Sequence, residues 1–140
     1  MFGGMGSPEA RFQTMHVIVC SDSPVVRDAV SGHLGDHAAR LTLCESGMEL
    51  LGAVRALDSN LVILDLGTHG LGGLLLVSAI QELSPDVPII AVSATPDVDG
   101  RPLLQRGIPH VVLGADDDEF HTLLVQLAGH RGAVLGAGSR

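Results

Sequence analysis

No lysine occurs anywhere in the 140 residues. All eight of the Lys and Arg positions are arginines, scattered along the chain against sixteen acids, and the formal net charge is -8. A nucleic-acid surface needs basic side chains gathered on one face. Direct nucleic-acid binding is therefore not expected, and no basic helix-turn-helix-like segment follows the last helical pattern to suggest it. Long apolar runs are missing as well. Nothing approaches the roughly 18 residues that a membrane span needs, and the first residues lack the basic start and apolar run of a secretory signal. The expectation is a cytoplasmic chain with no membrane association. Cysteine is scarce, and Cys20 and Cys44 are too far apart for a CxxC motif. Reduced, buried thiols are expected before a redox pair. The seven histidines occur singly, without HxH or HExxH spacing, so a zinc site has little support.

What is present reads as globular: 46% hydrophobic and 17% charged residues, in a length that holds one domain. Flexible tails are expected at Met1–Thr14 and Gly129–Arg140, flanking a domain over 15–128, and a start at Met1 or Met15 stays open. Between the tails, apolar runs alternate with helical patterns. His16–Cys20 is β-rich and closes in Ser21-Asp22-Ser23-Pro24. Ser23 then suits an N-cap and Pro24 a first helical turn, followed by Val26, Ala29, Val30 and Leu34 at helical spacing. Arg40–Cys44 alternates as a second strand, and Gly47–Leu57 carries Leu50, Leu51, Val54 and Leu57 on one helical face. Leu61–Leu66 is almost continuously apolar, as a strand covered on both faces is. A glycine-rich loop, Gly67–Gly73, leads to a helix over Leu74–Leu83. Pro88–Ser93 and Val111–Leu113 read as further strands. Asp116–Leu127 reads as the last helix, with acids at its N-terminus, where the helix dipole favours them. Thr95–Gly107 is the weak helix, because Pro96, Gly100 and Pro102 leave only a turn or two from Pro102 to Arg106.

Five strands alternating with helices predict an α/β fold, a doubly wound five-stranded parallel sheet with helices on both faces. Sites in such folds lie outside the C-terminal strand ends. Those ends carry Asp22, Asp65, Ser93 and Gly114. Two carboxylates at adjacent strand ends can hold Mg²⁺, which prefers oxygen ligands, and a hydroxyl on the next strand can bond a phosphoryl group placed on Asp65. The plainer alternative stays open at this point, with Asp65 capping its loop and Asp22 belonging to a turn.

From about His16 to Leu127 the chain resembles response-regulator receiver domains. VIVCSDSPVVRDAV is similar to that family's first strand, acidic pair and first helix. NLVILDLGTHGLGG is similar to the stretch around its phosphoacceptor, LSPDVPIIAVSA to the segment leading to its switch hydroxyl, and RGIPHVVLGAD to its last strand. The resemblance implies a flavodoxin-like strand order 2-1-3-4-5, Asp65 as phosphoacceptor and Ser93 as the phosphoryl-sensing hydroxyl. It also implies a weakly bound Mg²⁺ held by Asp22, Asp65 and the backbone carbonyl of Gly67. Several departures accompany it. Ser21 replaces one acid of the pair, Gly114 stands where the family has lysine, and Val111 stands where a rotating aromatic usually reports the switch. His69 and Gly72 stand where Pro and Asp are common. The losses of an acid and a lysine keep the formal site charge at -2 and change its placement.

The implied function is a receiver domain in a phosphorelay, signalling through a protein-interaction surface with a weakened switch, and not an enzyme beyond accepting its own phosphoryl group. Implied partners are a sensor histidine kinase or phosphotransfer protein and a downstream protein, with a homodimer left open. The alternative is a pseudo-receiver that works as a phosphorylation-independent interaction module. A cobalamin-type ligand domain is disfavoured, because His69 lies four residues after Asp65 and not two, and GLGG lacks the context of a dinucleotide site.

Overall fold

Every position of the run HVIVC is buried, and it forms the first strand, β1 (His16–Cys20). The computed structural model describes residues 15–35, 40–68 and 73–126. Both tails, His69, Gly72 and Leu127 lie outside the described residues. Ser23 caps the helix that follows β1: its Oγ accepts from Val26 N at 3.3 Å. Pro24 opens α1 (Pro24–Gly35) as the spacing predicts. β2 (Arg40–Cys44) is half exposed, and Ser46 caps α2 (Gly47–Ala56) by accepting from Glu49 N. β3 (Leu61–Asp65) leads to α3 (Gly73–Leu83), and β4 (Ile89–Ser93) to α4 (Arg101–Leu104). The last strand is β5 (His110–Val112), followed by a helix over 117–126, α5.

The strands form one sheet in the order β2-β1-β3-β4-β5, parallel throughout. Fold class and strand order are as expected. The three inner strands are buried at every position, because side chains alternate between two covered faces. One face sets Val17, Val19, Leu61, Ile63, Ile90 and Val92 against Val26, Val30 and Leu34 of α1 and Phe120 and Leu124 of α5. The other sets Ile18, Val62, Leu64 and Ala91 against α2, α3 and Leu103 of α4.

Two elements sit one residue away from their expected places. The weak helix is indeed short, but it spans Arg101–Leu104, with Gly100 at its cap and no side-chain hydrogen bond there. The expected strand Val111–Leu113 is His110–Val112. Its register is set where Ala91 N donates to the carbonyl of Pro109 at 2.9 Å, and Leu113 N donates to Ser93 O at 2.9 Å. Because strand side chains alternate, this single step matters to the site.

Candidate functional site

Asp65 ends the middle strand of the sheet and is only 3% exposed. A buried carboxylate needs donors, and two backbone segments bring them. Ser21 is fully buried, fixed where its N–H donates to Cys44 O at 2.9 Å. Its hydroxyl donates to Asp65 Oδ2 at 2.6 Å. On the other side the N–H of Gly67 donates to Asp65 Oδ1 at 2.9 Å. A Cβ at Gly67 would lie 3.3 Å from that same oxygen, so the turn brings backbone close to the carboxylate. Both donors are neutral.

Asp22 lies next to Ser21 and is exposed at the mouth of the site. Its backbone N–H donates to the hydroxyl of buried Thr68 at 3.3 Å. That bond joins the loop after β1 to the loop after β3. Sequence reading missed Thr68, and nothing about a single threonine in a glycine-rich loop marks it. Sequence reading also saw Ser21 only as a lost acid, whereas in the structure it is the direct partner of Asp65.

Ser93 ends β4 beside Asp65, whose Cα register partner is Val92. It is buried, and its hydroxyl donates to Thr95 O at 2.8 Å. The same Oγ lies 2.8 Å from Nε2 of His110. The ring that meets the Ser93 hydroxyl therefore belongs to His110. Val111 belongs to the opposite core, with α1 and α5. The comparison of Val111 with a reporting aromatic is thereby corrected: the register of β5 on β4 sends His110 and Val111 to opposite faces, and His110 is the one that meets Ser93.

The ring of His110 also rests on the start of α4. A Cβ built on Gly100 would come within 2.4 Å of Nδ1 and 2.8 Å of the His110 Cβ. Only a glycine fits there without moving the ring. The same shift, from Val111 to His110, moves the expected lysine position from Gly114 to Leu113; Gly114 itself has a φ of +93°, a conformation costly to any other residue. A lysine would have open space there but a strained backbone.

Cys20 and Cys44 are register partners across β1 and β2, and both are free and buried. Burial, with Cys44 and then Asp65 adding negative potential, pushes the Cys20 thiol up to about 12. Burial and Glu49 raise Cys44 as well. Both are inert as thiols at neutral pH, as expected, although the fold sets them side by side.

For metal, the oxygen donors near Asp65 are the Asp22 and Asp65 carboxylates and loop carbonyls. Among the described residues no group of three or more His, Cys, Asp or Glu side chains is placed to hold an ion. No helix of the described residues is long and apolar enough to cross a membrane.

No curated protein matches the chain in sequence. Among solved structures, it is similar to the receiver domain of a sensor histidine kinase from Pseudomonas aeruginosa PAO1, which has a magnesium ion coordinated in its active site cleft. The TM-score is 0.69 at 21% identity, covering 82% of this chain and 98% of that one. It is equally similar to the response regulator TrrA from Thermotoga maritima in complex with Mg²⁺ and BeF, with a TM-score of 0.69, 24% identity and coverage of 81% and 99%. A response regulator from Burkholderia pseudomallei with a phosphorylated aspartic acid matches at TM-score 0.68 and 16% identity, over 90% of this chain and 75% of that one. These likenesses are of fold, and they agree with the observed strand order. The family model for the response regulator receiver domain matches residues 17–124, and the chain belongs to that family.

Proposed function

We propose that this receiver domain accepts a phosphoryl group on Asp65 and passes the signal on through a protein-interaction surface. The observation that carries the reading is Asp65 itself. It is a buried carboxylate at the C-terminal end of the central strand, held by two neutral donors, with a second acid and a buried hydroxyl on the neighbouring strand ends. In the transfer an Asp65 oxygen attacks the phosphorus of the donor. The new O–P bond forms as the donor's bond to phosphorus breaks, and the leaving group departs with that electron pair. Ser93 lies one strand over, placed to turn its hydroxyl from Thr95 to a phosphoryl oxygen. A sensor histidine kinase or phosphotransfer protein is the donor that fits this chemistry.

The oxygen-only donor set suits a hydrated Mg²⁺, which Asp22, Asp65 and the Gly67 carbonyl would hold. When bound, the ion supplies positive charge for the phosphoryl oxygens. Ser21 in place of a carboxylate makes its binding weak. The absence of lysine weakens the coupling between Asp65 and the interaction surface, where a working allosteric pair is worth about 1–3 kcal/mol.

Two observations favour the second reading, a phosphorylation-independent interaction module. Ser21 already occupies Asp65 Oδ2, and neither Leu113 nor Gly114 is a lysine. One experiment separates the two. With acetyl phosphate and Mg²⁺, the parent chain should gain one acid-labile phosphoryl group by intact mass, and Asp65→Asn should gain none. Equal labelling of both, or none of either, removes Asp65 as phosphoacceptor.

A further inference from the structure

The chain has no lysine to set a positive charge near Asp65. Arg101 heads α4, but its guanidinium is engaged by Asp99 at 3.0 and 3.2 Å. Arg27 is paired with Glu45 at 3.1 Å. Among the described residues, His110 reaches Ser93, with Nε2 2.8 Å from its Oγ.

The geometry around Ser93 constrains the hydrogens. A hydroxyl has one hydrogen to give, and a carbonyl oxygen can only accept. When Ser93 donates to Thr95 O at 2.8 Å, the contact between Ser93 Oγ and His110 Nε2, also 2.8 Å, is a hydrogen bond only if Nε2 carries the hydrogen. His110 is then the donor. If Ser93 turns its hydrogen from Thr95 to a phosphoryl oxygen on Asp65, Oγ still accepts from Nε2. The result is two hydrogen bonds running in one direction, from imidazole through hydroxyl to phosphate. A protonated imidazole has no acceptor nitrogen, so it can run only this way, and its charge strengthens both bonds.

The ring is held for this task. Gly100 packs on it so closely that a Cβ there would stand 2.4 Å from Nδ1, which blocks withdrawal toward α4. The charged groups that face it are those of the groove it lines. Asp97 and Asp99 come from the loop before α4, Arg101 from α4, Asp116 from the turn after β5, and Glu119 from α5. Asp99 has its carboxyl held below the usual range by Arg101, with a smaller contribution from His110.

We propose that His110 supplies, through the Ser93 hydroxyl, a positive hydrogen-bond donor to a phosphoryl group on Asp65 in a chain that has no lysine for that role. The inference rests on Asp65 accepting that group. His110 is a positioning residue, since it acts through Ser93. An imidazole donates from Nε2 in its protonated form and in one neutral tautomer but carries charge only when protonated, so lowering the pH should strengthen the aid.

The test is beryllofluoride affinity, with Mg²⁺, at pH 6, 7 and 8 for the parent, His110→Phe, His110→Gln and Ser93→Ala. Expressing each affinity relative to the variant at the same pH cancels the chemistry of the probe. The parent-to-His110→Phe ratio should rise by about fivefold or more from pH 8 to pH 6, the low end of typical coupling between two sites. His110→Gln can donate but carries no charge, so its affinity relative to His110→Phe should stay flat with pH. Ser93→Ala should lose the parent's pH dependence. A flat parent ratio overturns the proposal, and so does a pH dependence that survives in Ser93→Ala. If the parent binds beryllofluoride no better than Asp65→Asn at any pH, the phosphoacceptor reading itself falls, and this inference falls with it.

Discussion

Ser21 and Asp65 stand 44 residues apart in sequence and share a buried hydrogen bond of 2.6 Å. The serine gives its hydrogen to the carboxylate oxygen opposite the one that Gly67 serves. A position that carries an acid in the family's usual pattern is thus a neutral donor to Asp65 in this chain.

Removing that donor leaves a buried carboxylate oxygen with one partner fewer. Ser21→Ala should therefore lower unfolding free energy by about 1–3 kcal/mol, measured by urea denaturation at pH 7. Ser21→Asp places two carboxylates together, so it should be destabilised without Mg²⁺ and should bind Mg²⁺ more tightly than the parent. Equal Mg²⁺ affinity in the two proteins would put position 21 outside the metal shell.

Gly100 gives a second test. A methyl at this position meets the His110 ring, so Gly100→Ala should cost about 1–3 kcal/mol. Removing the ring should remove the conflict. Gly100→Ala/His110→Ala should be more stable than the sum of its single changes by more than about 0.5 kcal/mol, as read by a double-mutant cycle in thermal or urea melts. Strict additivity would show that the ring yields freely.

A lysine placed at Gly114 meets the backbone first. Its φ of +93° makes any side chain cost about 1–3 kcal/mol. Gly114→Lys and Gly114→Ala should lose similar stability, since the strain lies in the main chain and space is open beyond it. A much larger loss for lysine would point to the side chain instead.

Cys20 sets an alkaline limit. Its thiol is raised from 9.0 to about 12 in the folded chain, so the folded state holds the proton more tightly than the unfolded state. The sign follows: the stability is complete below pH 9 and is lost as pH rises from there toward 12, by about 1.4 kcal/mol per unit at most. Stability measured between pH 8 and 10.5 should fall in the parent, and less steeply in Cys20→Ala. Parallel curves would rule out Cys20 as the source.

The sheet and its order were legible because LVILD, HVIVC and IIAVS can only be strands covered on both faces, and a carboxylate closing one of them announces a site. Asp65, Asp22 and Ser93 were found in that way. The partners of these residues were not legible. The direction of a hydroxyl is decided by tertiary neighbours, so Ser21 read as a loss although it is the closest donor to Asp65. His110 was missed because β5 is three residues long. In so short a strand one residue of slip exchanges the two faces, and neither the apolar pattern of HVVL nor Pro109 alone determines the phase. Thr68 carries no signal at all until the two loops meet.

The bonds that define the site join distant parts of the chain, Ser21 to Asp65 and Asp22 to Thr68, with separations of 44 and 46 residues. Neither loop can acquire its shape while the strands bearing them are apart. Docking of β1 beside β3 is therefore a condition for the surroundings of Asp65, and such non-local closure comes late and slowly in folding. A nascent or partly opened chain with β1 detached would keep the aspartate but none of its recognition geometry. On the proposed function, competence to receive a signal would in this sense be a test of complete folding, and damage to the first strand would undo the centre from a distance.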